Sequence, residues 1–419
     1  MSSIQKIKGF SDLLPETARR YTYMEDVARD VFDRFGFQEI RLPLLEKTEL
    51  FSRSIGDETD IVQKEMYTFP DRKGRSLSLR PEATAGVVRA YIENNLQARE
   101  KVSKLFCFGP MFRYERPQKG RQRQFHQINV ESFGSSSPIA DAEMILMLWS
   151  FLRGINLKNI TLEINSLGCR DCRSAYERQL MAHLSEQSRD DLCEDCQRRT
   201  QANPLRIFDC KNPHCADMVA SAPPILDHVC SECLEHFDTV RSLLQSMGIP
   251  YTVNPRLVRG LDYYQRTTFE VISENIGAQS AIAGGGRYDG LVQLLGGPDV
   301  PGIGFACGME RLNLLLGEIP SNPPDFYIAV LDEEAFELGN RLAGTLRSQG
   351  YRGEMSYTSS SLKSQMRQAN KLEARFCLLL GSDEVAQKRV TVKNMATGEQ
   401  STVPESAVAA LLQPNDHKR

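Results

Sequence analysis

Apolar residues near the start of the chain return every three to four positions from about Pro15 to Phe35. That period predicts an amphipathic helix, with Gly36 placed to end it. FQEIRLPLLE (37–46) carries Pro43, so it predicts an edge strand or a distorted one. SLSLRPEATAGVVRAYIENNL predicts a short strand running into a helix, with Pro81 at its start. KLFCFGPMFRYE and FHQINVESFG are apolar-rich strands flanking a basic segment, RPQKGRQR (116–123), that does not suit a packed strand. Ser137-Pro138, with Asp141 and Glu143 in the first turn, opens another helix, and KNITLEIN alternates as a strand.

From Leu167 to Leu244 the pattern becomes helical, polar and rich in cysteine, which predicts an insertion over about residues 167–248. Strand-type sequence returns in IPYTVNP, YYQRTTFEVIS, AIAGGGRYDG and GIGFACG. The prolines of IPSNPPD (319–325) mark a linker. Beyond it, DFYIAVL, a helix, GYRGEMSY, a second helix, RFCLLLG and the hairpin-like RVTVKNMATGEQSTV predict a small α/β unit. The expected domains are therefore 1–325, containing the insertion, and 326–419. The first lacks a regular βαβ alternation and reads as α+β, with mainly antiparallel strand pairs.

Composition narrows the function. The chain has 419 residues, 41% hydrophobic and 25% charged, with a formal net charge of −3. A sizeable core is expected, and binding of nucleic acid by bulk charge is excluded, though not by a local basic patch. The first twenty residues carry no apolar signal core, and no run approaches bilayer length, so a soluble, cytoplasmic protein is expected. There, eleven cysteines suggest reduced thiols or metal ligands before disulfides. Eight fall in the insertion: Cys169, Cys172, Cys193, Cys196, Cys210, Cys215, Cys230 and Cys233, with His183, His214, His228 and His236 among them. Three CxxC pairs have the spacing that lets two thiolates reach one zinc ion, while thiols also pack as small hydrophobes in ordinary helices. A structural zinc stays open at this point, and no metal ligand is assigned. Cys107, Cys307 and Cys377 sit in apolar strands and are expected in the core.

Residues two apart on a strand share a face. Arg113 and Glu115 then point one way on the first strand of the basic hairpin, and Gln127, Asn129 and Glu131 one way on the second. The tip carries Arg116, Lys119, Arg121 and Arg123 beside Gly120. Arginine matches phosphate oxygens bidentately, so the tip suggests phosphate; the alternative is a solvated loop. Gly284 to Gly286 predict a tight turn by themselves. In GIGFACGMERL, Arg311 falls in the first turn of a helix, against the dipole, so it either awaits an anion or pairs with Glu310. Arg259 with Tyr263 and Tyr264, and Glu82 with Thr84, fit either a site or a structural pair or cap. Taken together, arginines, carboxylates, glycines and tyrosines on separate strands, without a nucleophile arrangement, suit a zwitterionic substrate and a polyphosphate.

KGFSDLLP, RPEATAG, FRYERPQKGRQRQFHQINVESFG, LVRGLDYYQRTTFEV, AIAGGGRYDG and GIGFACGMERL, in this order, resemble the bacterial histidyl-tRNA synthetases, a family of class II aminoacyl-tRNA synthetases. The resemblance implies an antiparallel sheet flanked by helices, a C-terminal α/β anticodon-binding domain and a homodimer joined through FQEIRLPLLE. It implies ATP with magnesium, L-histidine and a histidine-specific tRNA as substrates, with a histidyl-adenylate between two steps. Arg113 would hold the α-phosphate and the histidine carboxylate, and Arg259 would stabilise the charge developing beside them. Arg121 and Arg311 would hold the outer phosphates, and Phe125 would stack on adenine. Glu82, Thr84 and Gln127 would take the α-amino group, Glu131 and Tyr264 the two ring nitrogens, with Ala83, Tyr263 and Tyr288 completing the histidine pocket. Arg116 to Lys119 would face the tRNA acceptor end.

In the C-terminal unit, Lys363, Arg367, Lys371 and Arg375 recur every four residues and predict a basic helix face for RNA phosphates, or a plain solvated one. Leu362, Met366 and Ala369 are expected to pack inward. A catalytically silent paralogue, regulatory in histidine biosynthesis, is the alternative function. Such relatives typically lack the anticodon domain and lose substrate residues.

Overall fold

The hairpin that flanks the basic segment lies inside an eight-stranded sheet in a computed structural model of the chain. The structure describes residues 3–56, 59–185, 192–210, 212–277 and 281–412. The sheet's strands are β1 (Gln38–Glu39), β2 (Ser103–Phe112), β3 (Gln124–Phe133), β4 (Thr161–Ser166), β5 (Thr252–Val253), β6 (Gln265–Ile272), β7 (Ala281–Arg287) and β8 (Gly302–Gly308). Their order is β1-β2-β3-β8-β7-β6-β4-β5, antiparallel except for the two short edge strands. The strand alternation decides which side faces what. Phe106, Ile128, Val130, Phe269 and Phe305 join Met24, Phe32, Phe151 and Phe237 in one core. Those four come from helices α1 (Pro15–Arg34), α3 (Pro138–Gly154) and α6 (Ser231–Ser246). Each such aromatic or aliphatic burial contributes about 1.5–3 kcal/mol. The other face of the central strands carries Gln127, Asn129 and Glu131 over part of its area, while Leu105, Cys107 and Phe133 pack there in a second core, so the fold is α+β with a polar site set beside that core.

Two local expectations change. The first strand of the hairpin ends at Phe112, so Arg113 and Glu115 lie beyond it. Arg113 N donates to Arg123 O at 2.8 Å, and Glu115 N closes back on Arg113 O at 2.8 Å. The three glycines expected as a tight turn instead form the middle of β7. Neighbours on both sides explain their presence: a Cβ on Gly284 would overlap the Arg259 guanidinium, and one on Gly285 the Gly304 carbonyl.

The region expected as an insertion is mostly helical where it is described: α4 (Arg170–Ser185), α5 (Glu194–Ala202), a short helix Pro213–Met218, 3-10 segments including Pro204–Asp209, and α6, joined by short non-helical links. Its last helix, α6, belongs to the main core through Phe237, Val240 and Leu244. Helix α2 (Thr84–Glu93) follows the short strand Ser76–Leu79, starting three residues after Pro81 rather than at it.

The chain divides into two compact units, Met1–Ile319 and Pro320–Arg419. The second holds a five-stranded sheet: β9 (Phe326–Val330), β10 (Gly353–Met355), β11 (Phe376–Leu380), β12 (Arg389–Asn394) and β13 (Gln400–Pro404), in the order β10-β9-β11-β12-β13. Helices α8 (Phe336–Ser348) and α9 (Leu362–Lys371) accompany it. On α9 the inward residues are Gln365 and Ala369, with Met366 partly buried, while Leu362 is exposed. Gln365 displaces the expected leucine because its amide is fully used: Nε2 donates to Val330 O at 2.9 Å and Oε1 accepts from Tyr327 at 2.7 Å. Arg375 also leaves the expected stripe, because α9 ends at Lys371 and Glu373 turns the chain at φ +55°. It pairs with Asp325 at 3.2 Å. Among the described residues no helix is long and apolar enough to cross a membrane.

Candidate active site

The polar face of the sheet forms the floor of a 260 Å³ cavity. Strand alternation explains the floor: Gln127, Asn129 and Glu131 all line it from β3. Gln127 Oε1 and Asn129 Oδ1 are buried acceptors with no protein hydrogen-bond partner. Two such atoms facing one cavity suit an ammonium group.

Glu131 is buried, and both its oxygens are engaged. Oε1 accepts from Thr84 Oγ1 at 2.6 Å, and Oε2 accepts from the Tyr288 hydroxyl. Burial pushes its carboxyl up to about 8. Gly304 leaves room for it, since a Cβ there would overlap Oε2. Glu82, beside it, accepts from Thr84 N at 2.6 Å and Ala85 N at 2.9 Å. It therefore caps α2 while lining the cavity. Burial raises its pKa against those donors. Tyr263 and Tyr264 close this end, and burial lifts the Tyr264 phenol to about 12.

The arginines enter from three elements. Arg113 follows β2; its Nε donates to Pro81 O at 2.9 Å and its guanidinium lies 5.5 Å from the Phe125 ring centre. Arg121, from the loop, pairs with Glu115. Arg311, in α7 (Met309–Leu315), reaches Ala281 O at 2.5 Å and Gly120 O at 3.3 Å. Its expected alternative partner, Glu310, instead accepts from His126 N and Nδ1, at 2.9 and 3.0 Å. Burial pushes the pKa of Arg113, Arg121 and Arg311 down, and neighbouring cations add to it: Arg259 for Arg113, Arg113 for Arg121, and Arg121 with Arg113 for Arg311. An entering polyanion would relieve that cost. Arg259 differs: burial lowers its pKa, but Glu270, with which it forms an ion pair, and Asp209 outweigh this and raise it.

One cavity thus collects Glu82, Thr84, Arg113, Arg121, Phe125, Gln127, Glu131, Arg259, Tyr263, Tyr264 and Arg311. Two expected pocket residues do not line it. Ala83 and Tyr288 are fully buried in the core behind the wall, and Tyr288 acts through Glu131. Thr84 donates its hydroxyl proton to Glu131, and its oxygen keeps lone pairs that accept from an ammonium group. Sequence reasoning missed Glu270 and Asp209. A carboxylate inside the apolar strand TTFEVI was the available signal for Glu270; nothing local marked Asp209. Arg287, beside the glycines, is not a site residue: fully buried, it is held by Asp141 and by Ser135 O at 2.9 Å.

This sheet, with arginines and acids converging on one face and a separate C-terminal α/β unit, defines a class II aminoacyl-tRNA synthetase. The family model for histidyl-tRNA synthetase matches residues 9–312, and that for the anticodon binding domain matches 325–415. The chain belongs to the histidyl-tRNA synthetase family. It is 60% identical to the histidine–tRNA ligase of Oleidesulfovibrio alaskensis over 98% of this chain and 100% of that one. It is 53% identical to the histidine–tRNA ligase of Geobacter sulfurreducens over 96% and 97%. Apo S. aureus histidyl-tRNA synthetase superposes with a TM-score of 0.83 at 36% identity, covering 98% and 100% of the two chains. A Bacillus halodurans protein described as an ATP phosphoribosyltransferase regulatory subunit/histidyl-tRNA synthetase shares the fold, with a TM-score of 0.64 at 19% identity over 88% and 97%.

Proposed function

We propose that this protein ligates L-histidine to its tRNA through a histidyl-adenylate. A histidine carboxylate oxygen attacks the α-phosphorus of ATP, the bond to the β-phosphate breaks, and pyrophosphate leaves. A ribose hydroxyl of the terminal tRNA adenosine then attacks the carbonyl carbon, and AMP departs. Arg113 orients the carboxylate and α-phosphate, and Arg259 stabilises the charge that builds between them. Arg121 and Arg311 hold the outer phosphates, and Phe125 stacks on adenine. Gln127, with Glu82 and Thr84, receives the α-amino group; Glu131 and Tyr264 take the imidazole nitrogens. An imidazole offers one donor and one acceptor, so an apolar isostere would leave both protein groups unpaired. Each carboxylate lining the cavity has a partner inside the protein. Magnesium would accompany ATP as part of the substrate and offset the charge of its phosphates.

The carrying observation is that Arg113, Arg259 and Arg311 enter the same cavity as Glu131 and Tyr264. We extend the reading to a cytoplasmic homodimer with a catalytic and an anticodon-binding domain; the boundary expected at 325/326 lies six residues beyond the 319/320 division of the compact units. Leu44 and Leu45, exposed at 43% and 42%, lie in the segment expected at the dimer contact and support it. Histidine-dependent exchange of pyrophosphate into ATP, without tRNA, tests the function. Exchange is expected with histidine alone among the amino acids; its absence in folded protein would return the regulatory alternative.

A further inference from the structure

Eight cysteines spread over residues 169 to 233 come together as two groups of four: Cys169, Cys172, Cys230 and Cys233, and Cys193, Cys196, Cys210 and Cys215. Within each group all sulfurs lie within 4.8 Å of one another. Cys169 and Cys172 are 3.5 Å apart, and Cys193 and Cys210 are 3.7 Å apart. A disulfide needs about 2.05 Å, and none forms. A tetrahedral ion with metal–sulfur bonds of about 2.3 Å sets its thiolates about 3.8 Å apart. A four-iron cluster would wedge a cube of metal and sulfide between its thiolates and spread them wider.

The surroundings of the sulfurs are built for thiolates. Cys169 N donates to Cys233 Sγ at 3.2 Å, Cys230 N to Cys172 Sγ at 3.0 Å, and Cys193 N to Cys215 Sγ at 3.3 Å. Each CxxC straddles the start of a helix, α4, α5 or α6, where free backbone N–H groups favour negative charge. Gly168 takes φ +66°, and a Cβ there would come within 2.5 Å of Cys172 Cβ. Arg266 lies in the field of Cys233, and Arg199 in that of Cys196, where they offset part of the charge of four thiolates on one dication.

We propose that the two groups are structural zinc sites with four thiolate ligands each. The first ties the start of α4 to the start of α6, closing the root of the inserted region. Beside it, Leu167 N donates to Arg266 O and Arg266 N to Gly168 O, both at 2.8 Å, two residues beyond Tyr264. The second fastens α5 to the chain directly after Pro204–Asp209, the segment that brings Asp209 into the field of Arg259. Asn203 in that segment's approach donates to Asp262 Oδ1 at 2.6 Å. Zinc thus holds a wall of the histidine pocket from outside.

Elemental analysis of the full chain, purified under reducing conditions without chelator or added metal, tests this. Two zinc ions per chain are expected. The double variants Cys169→Ser/Cys172→Ser and Cys193→Ser/Cys196→Ser should each retain one. Should those variants fail to fold, thiol titration of the native wild-type chain serves instead: a mercurial should release two zinc ions as eight thiols react. Folded protein with eight reactive thiols and no zinc, with disulfides, or with iron in place of zinc overturns the proposal. A single zinc overturns it for the group whose variant leaves the content unchanged. The readout is metal and thiol, so it stands or falls separately from the ligase reading.

Discussion

Arg259 and Gly284 show how one residue's chemistry depends on another's absence of a side chain. The guanidinium occupies the volume that a Cβ on Gly284 would need. Arg259→Ala should slow adenylate formation roughly 10²–10³-fold while histidine still binds, as is typical when one charge-stabilising donor is lost; single-turnover kinetics with a binding titration would check it. Gly284→Ala should fold and yet share that defect, because the obstructing group is the movable end of Arg259. Gly285→Ala should fail to fold, because its obstruction is the Gly304 backbone and two phenylalanines. Glu131 carries a pH signature. Its folded pKa of about 8 stands above an ordinary 4.5, so its contribution to stability is complete below about pH 4.5 and is lost as pH rises through 8. Unfolding free energies of the ligand-free protein from urea titrations should fall from pH 5.5 to 8 by up to about 1.4 kcal/mol per pH unit. Glu131→Gln should flatten that slope.

At the scale of elements, the basic hairpin was the most legible part of the chain. Alternation alone put Gln127, Asn129 and Glu131 on one face, because a pleated strand allows nothing else. Where the strand stopped was not legible: it ends at Phe112, and the backbone turns back where Glu115 N donates to Arg113 O. The glycine run misled for a related reason. Glycine's freedom suits turns, but here it was needed for close approach within a sheet, and the groups approached come from distant sequence. Helix α9 makes the same point at smaller cost. Period predicted its basic face, and Lys363, Arg367 and Lys371 are exposed on it, while Arg375 is engaged with Asp325. If the face meets RNA phosphates, each of Lys363→Ala, Arg367→Ala and Lys371→Ala should lower the salt slope of tRNA binding by about one unit. Arg375→Ala should instead lower the thermal stability of the second unit and leave the slope alone.

At the scale of the whole molecule, the two units each have their own sheet and core. A chain ending at Ile319 should therefore keep histidine-dependent pyrophosphate exchange and lose most tRNA charging, measured side by side with the full chain. The sequence by itself determined the strands and helices with strong period, the inward cysteines Cys107, Cys307 and Cys377, and the set of motifs that marks the family. Those are local properties: periodicity, turn chemistry and a run of residue types in order. Only the tertiary structure decided that Glu270 and Asp209 flank Arg259, that Tyr288 stands behind Glu131, and that eight cysteines sort into two fours. Each of those facts pairs residues far apart along the chain, and burial and electrostatics act through space, where sequence separation carries no information about distance.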